Sequence, residues 1–500
     1  MIRDRAMLTI KLATIVFMMF FVIWPLGPAS NAMRPMPHIL EDVGPLTVLH
    51  YVSQAGDDAN DGSASHPWAT IQHADTVVVP GDTVIVLDGL YIGDIVLRSS
   101  GNPGHPITYM AEHKWKARLV GSGKGDGSAV IGVNGGHVIL KDFDITGTDA
   151  NGIILAYAGS IASYNAALGN YVHDMITPCD SNSGTGIETG GGDNYGSVTH
   201  NDIIGNVVAN ITPYNGCPGG HQASGIFAEI PDSVIASNLV INAGYGIQSW
   251  HAASRLTIYG NTLVNNLRSI TVGAGDSPGG VTNDYSLVQN NVIYNSTETA
   301  IAETGTTGPH NQYVNNLIYR GNTQISLDHG LRATGTINSD PQFVNNTGTA
   351  FGDYHLRPGS PARGAGLALA GITTDFQGID RPQAGPTDLG AFLSPGSGAA
   401  RTRTRVASSD TRTSSPTSGH AASGVVAAAA SANPVSIRGG QSSVISWTTR
   451  NAVRATLNGA PVLLKGSRTV SPTVTTIYKV IATGSTGKSD WGSATVTVNR

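Results

Sequence analysis

Two glutamates and two large aromatic residues lie close behind a repeated dipeptide of a small residue and Ile. Glu188 directly follows the Ile of one repeat, and Glu229 lies three residues after the Ile of the next. Phe227 and Trp250 take the same two places in these and the following repeat. Carboxylates can transfer protons or bind calcium, and aromatic faces stack on sugar rings. If the fold brings these side chains to one face, the pattern predicts a carbohydrate site.

Other polar residues beside the same repeats could share this chemistry. We expect Gln248 and His221 to bind substrate with the two aromatic residues, and His251 and Arg268 to join the glutamates in catalysis. In a lyase, a base removes the proton α to a uronate carboxylate, whose charge must be neutralised by calcium or a cationic side chain. Calcium is therefore a candidate cofactor, with Glu188 and Glu229 as its candidate ligands.

The supply of cationic side chains restricts this lyase chemistry. Lysine is absent between Lys141 and Lys465, which argues against a lysine base. Arg268 directly precedes the Ser269-Ile270 repeat and is a candidate base or carboxylate anchor, the alternative being an arginine solvated at a turn. The other candidates in this region are Arg255, Arg320, Arg332, His221 and His251.

The same glutamates permit a second enzyme class. A glycoside hydrolase needs two carboxyl groups about 5–9.5 Å apart across the scissile bond. Glu188 and Glu229 would lie on adjacent repeats, offset by two residues, which suits either spacing in that range. The alternative for each glutamate is an exposed strand residue that keeps a sheet soluble, and for Trp250 an edge aromatic that packs on a neighbouring loop.

A repeat with a minimum period of about 21–25 residues must position these side chains. Its short β-branched segments predict strands, and its length is typical of one coil of a parallel β-helix. Stacked coils place equivalent residues about 4.8 Å apart, so the Ile residues should form an inward stack and the Asn residues a hydrogen-bonded ladder at a turn with left-handed backbone. The Ile series is Ile153, Ile187, Ile226, Ile247, Ile270, Ile301 and Ile325, and the Asn series is Asn170, Asn206, Asn238, Asn261, Asn291 and Asn316.

The only two cysteines fit the same register. Cys179 lies eight residues before Ile187, and Cys217 lies nine before Ile226, so both fall in the same loop of consecutive coils. In an exported protein this placement predicts a disulfide between them. The alternative is a free catalytic thiol.

Composition excludes several other classes. Gly accounts for 63 of 500 residues and charged residues for 13%, which argues against a coiled coil and a helical bundle. The net charge of −5 gives no reason to expect nucleic-acid binding. Residues 1–32 have the basic start, the 13-residue apolar run and the small residues Ser30 and Ala32 of a secretory signal peptide, too short for a stable membrane span.

The segment after this predicted leader resembles known secreted proteins. Asp57-Asp58-Ala-Asn60-Asp61-Gly62, His66-Pro67-Trp68 and Pro80-Gly81-Asp82 near the start, and Asp340-Pro341, Asp375-Phe376 and Asp388-Leu389-Gly390 near the end, resemble right-handed parallel β-helix proteins of the pectate-lyase-like superfamily. The resemblance extends from Tyr51 to Leu393 and implies an all-β fold, the pectin-lyase-like solenoid, over residues 47–395. A capping helix is expected within Trp68–Val78. The superfamily includes lyases, glycoside hydrolases, epimerases and members with no known reaction, so the fold does not fix the activity.

The last part of the chain changes character twice. Residues 396–433 are rich in Ser, Thr, Ala, Gly and Arg and are predicted to be a linker. Residues 434–500 contain short strands between turns, and their Trp447-containing pattern resembles the immunoglobulin-like β-sandwich modules of secreted bacterial proteins, without paired cysteines.

These observations lead to three hypotheses for the function. The first is an exported enzyme that cleaves an acidic, uronate-containing polysaccharide by β-elimination. The second is a non-catalytic surface protein that binds glycans or mediates adhesion. The third is a glycoside hydrolase that uses Glu188 and Glu229. In each case the expected partner is a polysaccharide, not a nucleic acid, and the expected location is outside the cytoplasm.

Overall fold

The computed structural model contains two compact units, residues 1–403 and 404–500. It describes residues 48–121, 128–147, 151–160, 162–177, 184–190, 197–213, 223–275, 280–394, 427–438, 441–450, 454–457, 460–462, 465–483 and 489–499. The predicted signal peptide, Cys179, Cys217 and His221 lie outside these residues. No helix within the described ranges is long and apolar enough to cross a lipid bilayer.

Three parallel sheets, called A, B and C here, form the β-helix of the first unit. In each coil the chain forms a strand of sheet A, then one of sheet C, then one of sheet B. Sheet A comprises Leu49–Val52, Thr83–Val86, Ile107–Ala111, Val138–Lys141, Ala166–Leu168, Asp202–Ile204, Val234–Ala236, Thr257–Tyr259, Leu287–Gln289 and Gln312–Val314. Sheet B comprises Ile95–Leu97, Ala129–Val133, Asn151–Ile154, Thr185–Glu188, Ser224–Ala228, Tyr245–Ser249, Arg268–Ala274, Thr299–Gly305 and Ile325–Ser326. Sheet C comprises Gly89–Ile92, Ala117–Val120, Asp144–Thr146, Tyr171–His173, Val207–Pro213, Leu239–Ala243, Thr262–Val264, Val292–Ser296 and Leu317–Gly321, with Ile176–Thr177 paired to its edge.

The Ile series lines the interior of this solenoid, as predicted. All seven residues are register partners on successive strands of sheet B. From Ile153 to Ile301 each is at most 1% exposed. Burial of one such side chain contributes about 1.5–3 kcal/mol, so this stack alone is a large part of the core.

The Asn series forms the predicted ladder between sheets A and C. The Oδ1 of Asn206 accepts hydrogen bonds from the backbone N (2.9 Å) and the Nδ2 (3.1 Å) of Asn170, and this pattern repeats up to Asn316. The prediction that the ladder Asn residues themselves adopt the left-handed backbone was wrong. The left-handed residue is the one before each Asn, such as Gly169 (φ 66°) or Ser237 (φ 55°). Asn serves here through its amide, which can donate and accept between coils.

The two ends of the solenoid are closed by other segments. The helix Ile71–Val77 lies at the first coil with Ile71 and Ala74 buried, and Thr70 caps it by accepting a hydrogen bond from the backbone N of His73 at 3.0 Å. At the other end, Ile325, Leu327 and Leu331 pack on the interior. A single 3₁₀ turn, Tyr157–Gly159, lies between sheets B and A.

Residues 338–394 form an extension that covers part of sheet C. It contains two short antiparallel pairs, Phe343–Asn345 with Asp353–Leu356 and Gly366–Leu367 with Pro386–Thr387. Its apolar side chains pack against the outer face of sheet C in a second core of Phe343, Tyr354, Leu356, Leu389 and Phe392 with Val207, Leu239, Ile241, Val264, Val292 and Leu317.

The second unit contains two small sheets. One comprises Ala427–Asn433, Ser443–Arg450 and Lys465–Val470, and the other comprises Ser436–Arg438, Ser489–Asn499, Thr476–Thr483, Arg454–Leu457 and Ala460–Val462. Trp447 is buried in a core with Ile445, Val480 and Val496. The predicted linker end at residue 433 was wrong, since Ala427–Asn433 is a strand whose alanines pack on this core. The immunoglobulin-like assignment stays a prediction.

Candidate active site

Sheet B aligns three of the predicted site residues in one row. Glu188 is the register partner of Phe227, which is in turn the partner of Gln248. Neighbouring strands are about 4.8 Å apart, so the row spans roughly 10 Å. Since side chains alternate faces along a strand and the Ile stack points inward, this row faces outward. Glu229 and Trp250 lie two residues further along their own strands, just beyond Ala228 and Ser249.

Glu188, Glu229 and His251 lie together at this position. Glu229 is close enough to Glu188 to raise the pKa of its carboxyl group. His251 places Nε2 3.2 Å from Oε1 of Glu229. Glu229 is only 3% exposed, and its backbone N donates to Oγ1 of Thr189 at 2.9 Å. The group therefore links three side chains that the sequence placed on two repeats and a turn.

Burial and like charge control the protonation of this group. They raise the pKa of Glu188 well above its usual value, with burial the largest cause and the charge of Glu229 the next. The hydrogen bond from Oγ1 of Thr185 (3.3 Å) and the charge of His251 oppose this shift. Part of the Glu188 side chain reaches solvent, but its carboxyl group lies among buried neighbours. The glutamate pair consequently keeps one proton to a higher pH than an isolated glutamate would.

The aromatic residues beside this group are arranged differently from each other. The ring of Phe227 lies 5.7 Å from that of His251, tilted by 59°. The indole of Trp250 packs against Gly275 and Gly305 of two later coils, where a Cβ would come within 2.4 Å of it. This packing agrees with the alternative that Trp250 is an edge aromatic residue packed on its neighbours, although its side chain remains partly exposed.

Gln248 is less accessible than its outward position predicts. It is 4% exposed, and its Oε1 accepts a hydrogen bond from Oγ of Ser224 at 2.7 Å. Glu229 is similarly enclosed. The direction of these side chains follows from the period of two along a strand, but their exposure depends on neighbours that are distant in sequence.

Arg268 is the first residue of the strand Arg268–Ala274 of the same sheet, and two side chains hold it. Its Nε donates to Oε2 of Glu298 at 2.8 Å, and its Nη1 donates to the hydroxyl of Tyr245 at 2.5 Å. Burial opposes its charge, but these partners raise the pKa of Arg268 above its usual value. A guanidinium held in its charged form suits a carboxylate anchor better than a base.

Four polar residues near the site were missed by the sequence analysis. Three of them, Thr185, Ser224 and Tyr245, lie two positions before an inward Ile and contribute polar groups at the same edge of sheet B. The fourth, Thr189, accepts the hydrogen bond from the backbone N of Glu229 and lies on the coil before it. The repeated position two residues before Ile is the signal that could have identified the first three.

The glutamate pair offers a poor donor set for calcium. Calcium takes six to eight oxygen ligands, mostly ionised carboxylates and carbonyls. Among the described residues the pair offers two carboxyl groups, of which Glu188 retains its proton to higher pH than usual and Glu229 is engaged by a nitrogen of His251. These residues do not fit a calcium ion as arranged.

The β-helix is similar to known proteins. Residues 50–296 match the family model for the Pel9A-like right-handed beta helix region. The first unit is therefore a right-handed parallel β-helix with the pectate-lyase-like fold. This Pel9A-like β-helix confirms the predicted solenoid and its handedness, and leaves the activity open.

Individual relatives are distant. The curated protein YwoF of Bacillus subtilis (strain 168), described as uncharacterized, is 27% identical over 147 residues, which are 27% of this chain and 31% of that protein. The chain thus spans about a third of the length of this relative. Pectate lyase Pel9A is 17% identical, covering 70% of this chain and 98% of its own with a TM-score of 0.46. A rhamnogalacturonan lyase is 16% identical, covering 59% of this chain and 90% of its own with a TM-score of 0.33.

Proposed function

We propose that the outward face of sheet B binds an acidic polysaccharide and cleaves it by β-elimination. The observation that carries this proposal is the cluster of Glu188, Glu229 and His251 beside the ring of Phe227, in which Nε2 of His251 lies 3.2 Å from Oε1 of Glu229. It combines a nitrogen base, a carboxylate that orients it and a carboxyl group that retains a proton, which are the parts needed for proton removal and return.

In this mechanism His251 is the base. If Nε2 donates its proton to Glu229, the other ring nitrogen, Nδ1, can accept the proton from the carbon α to the uronate carboxylate. Glu229 stabilises the imidazolium that forms, as the carboxylate of a catalytic triad does. As the carbon–carbon double bond forms, the bond to the leaving glycosidic oxygen breaks and that oxygen takes the proton of Glu188. Glu229, which contacts His251 and lies close to Glu188, then offers a path that returns the proton to Glu188.

The carboxylate of the substrate must also be neutralised. Arg268 is a charged group on the same sheet that can pair with this carboxylate, so the proton of Glu188 remains available for the leaving oxygen. The charged state of Arg268 is the one that its surroundings favour. A lysine is not needed in this scheme.

The hydrolase alternative is less well supported by the geometry. Inverting and retaining glycosidases hold their two carboxyl groups about 5–9.5 Å apart, with room for water or the anomeric carbon between them. Glu188 and Glu229 instead lie close enough for the carboxyl group of Glu229 to raise the pKa of Glu188. A non-catalytic glycan-binding protein is the second candidate, favoured by the enclosure of Glu229 and Gln248, which leaves little of either side chain for a substrate to contact.

Product analysis tests these alternatives. The chain is incubated with polygalacturonate, alginate and glycosaminoglycans, with calcium and with a chelator, while the ultraviolet absorbance of unsaturated products and the reducing ends are followed. A lyase raises both signals, a hydrolase raises only reducing ends, and a binding protein raises neither although it is retained on the polysaccharide. Neither signal on any substrate would overturn the enzymatic proposal.

Substitutions then assign the site. Glu229→Gln and His251→Gln should each lower the rate at least a hundredfold, since general acid–base catalysis contributes about 10²–10⁴. Arg268→Ala should mainly raise KM. The matched control is Glu112→Gln, on an exposed carboxylate just after a strand of sheet A, which should act like the wild type. Wild-type rates in both Glu229→Gln and His251→Gln would exclude this group.

A further inference from the structure

A concave surface lies where the extension meets sheet C. A cleft of about 450 Å³ opens between the strand Val292–Ser296 and the hairpin that begins at Phe343. A volume of this size falls within the range of small-molecule sites. Its lining residues are Tyr294, Asp340, Gln342, Phe343, Val344, Asn345, Asn346 and Arg357.

Aromatic rings form the inner wall of this cleft. The ring of Tyr294 lies 5.9 Å from the rings of both Tyr319 and Phe343. Phe343 is buried in the core between the extension and sheet C, and the face of Tyr294 is half-buried. A tyrosine fixed in this way offers an apolar surface with a polar edge, which suits a sugar ring.

Two exposed arginines belong to this region: Arg357 lines the cleft, and Arg320 contacts its lining residue Tyr294. Arg320 donates from Nη1 to the hydroxyl of Tyr294 at 3.0 Å, with its guanidinium 5.9 Å from the ring centre. Arg357 lines the cleft and donates from Nη2 to the backbone oxygen of Val344 at 2.6 Å. The neighbouring acidic residue is Asp340, so the two arginines leave an excess of positive charge.

The backbone at this place is fixed in an uncommon conformation. Gln342 and Arg320 both have left-handed backbone, with φ of 54° and 62°. The turn at Gln342 is held because its N donates to Oδ1 of Asp340 at 2.8 Å and its carbonyl accepts from the N of Arg357 at 3.0 Å. At Arg320 this conformation recurs at Asn242, Asn265 and Asn295, on or just after the preceding strands of sheet C, so it belongs to the solenoid, whereas the turn at Gln342 forms one wall of the cleft.

We infer that this cleft binds an anionic sugar unit of a polysaccharide, separately from the face of sheet B. Tyr294 would stack on the ring, and the guanidinium groups of Arg320 and Arg357 would pair with its carboxylate, which matches the planar fork of arginine. A sulfated sugar shares this anionic chemistry, so the test includes both kinds. The inference stands on the residues of the cleft and does not require sheet B to be catalytic.

Binding of defined oligosaccharides to the full chain tests this inference. Isothermal titration with a galacturonate tetramer, a sulfated heparin-derived tetramer and neutral cellotetraose is compared for the wild type, Arg357→Gln and Tyr294→Leu. We expect binding of an anionic tetramer to be weakened at least tenfold in both variants, with little binding of cellotetraose. Preference for the galacturonate over the sulfated tetramer would identify the anion as carboxylate, and the reverse preference as sulfate.

Controls separate a lost site from a damaged fold. Arg332→Gln removes an exposed arginine that does not line the cleft and should bind like the wild type. Arg357→Lys keeps the charge but loses the fork, so partial binding is expected. Each variant should retain the wild-type melting temperature, which shows that its fold is intact. Unchanged affinity in Arg357→Gln and Tyr294→Leu, or equal affinity for cellotetraose, would overturn the inference whatever the outcome for sheet B.

Discussion

At the scale of single residues, the two glutamates of sheet B show how position decides chemistry. Glu188 directly follows an inward Ile and keeps part of its side chain in solvent, whereas Glu229 lies beyond the end of its strand and is 3% exposed. The sequence predicted both as members of one cluster. It could not predict how closely the two glutamates interact or the contact with His251, because these depend on how the strand ends turn.

The raised pKa of Glu188 has a consequence for stability. The folded chain holds this proton to higher pH than the unfolded chain does, so the unfolded state binds fewer protons and stability falls as pH rises from the usual glutamate range towards the raised pKa. Glu188→Gln removes this dependence while keeping a hydrogen-bonding amide. We therefore expect the variant to gain in melting temperature relative to the wild type as the pH rises above the usual glutamate range.

Thermal unfolding of both proteins over this pH range measures the effect. The exposed carboxylate of Glu112 provides the control, since Glu112→Gln should follow the wild-type curve. A Glu188→Gln curve parallel to the wild type would mean that Glu188 does not hold its proton in the folded state.

At the scale of the elements, the periodic parts of the fold could be predicted and the aperiodic parts could not. The Ile and Asn series were recognised because each coil repeats the same local choice of residue. The strand Ala427–Asn433 was missed because alanines resemble linker composition, and only the facing Ile445 and Trp447 make them part of a core. The cleft beside Tyr294 was missed because its walls come from sheet C and from a segment some 50 residues later.

The Asn ladder should be costly to interrupt. Asn238 is fully buried, accepts two hydrogen bonds from Asn206 and donates from Nδ2 to the carbonyl of Ile203 at 2.8 Å. Asn238→Ala leaves these buried groups without partners, and each costs about 1–3 kcal/mol. We expect the free energy of unfolding to fall by about 3 kcal/mol or more, measured by urea unfolding.

An exposed asparagine gives the matched control for this variant. Asn102→Ala, outside the ladder, should change the free energy of unfolding by less than about 0.5 kcal/mol. If both substitutions have the same small effect, the ladder does not stabilise the solenoid and its hydrogen bonds are replaced by water.

At the scale of the whole molecule, the stability of the solenoid should depend on where the chain is cut after the last coil. A chain that ends after Ser394 keeps the extension, whose Phe343, Tyr354, Leu356, Leu389 and Phe392 pack on sheet C. A chain that ends after Ile337 loses these five side chains and exposes the apolar face beneath them. At about 2 kcal/mol for each buried side chain, the loss is on the order of 10 kcal/mol, comparable to the whole stability of a typical domain. We expect the first chain to melt like the first unit of the full protein and the second to melt far lower or to aggregate. Equal melting temperatures in a calorimetric comparison would show that the β-helix is stable without its extension. The contribution of the extension to the molecule would then be the cleft between Tyr294 and Arg357 rather than stability.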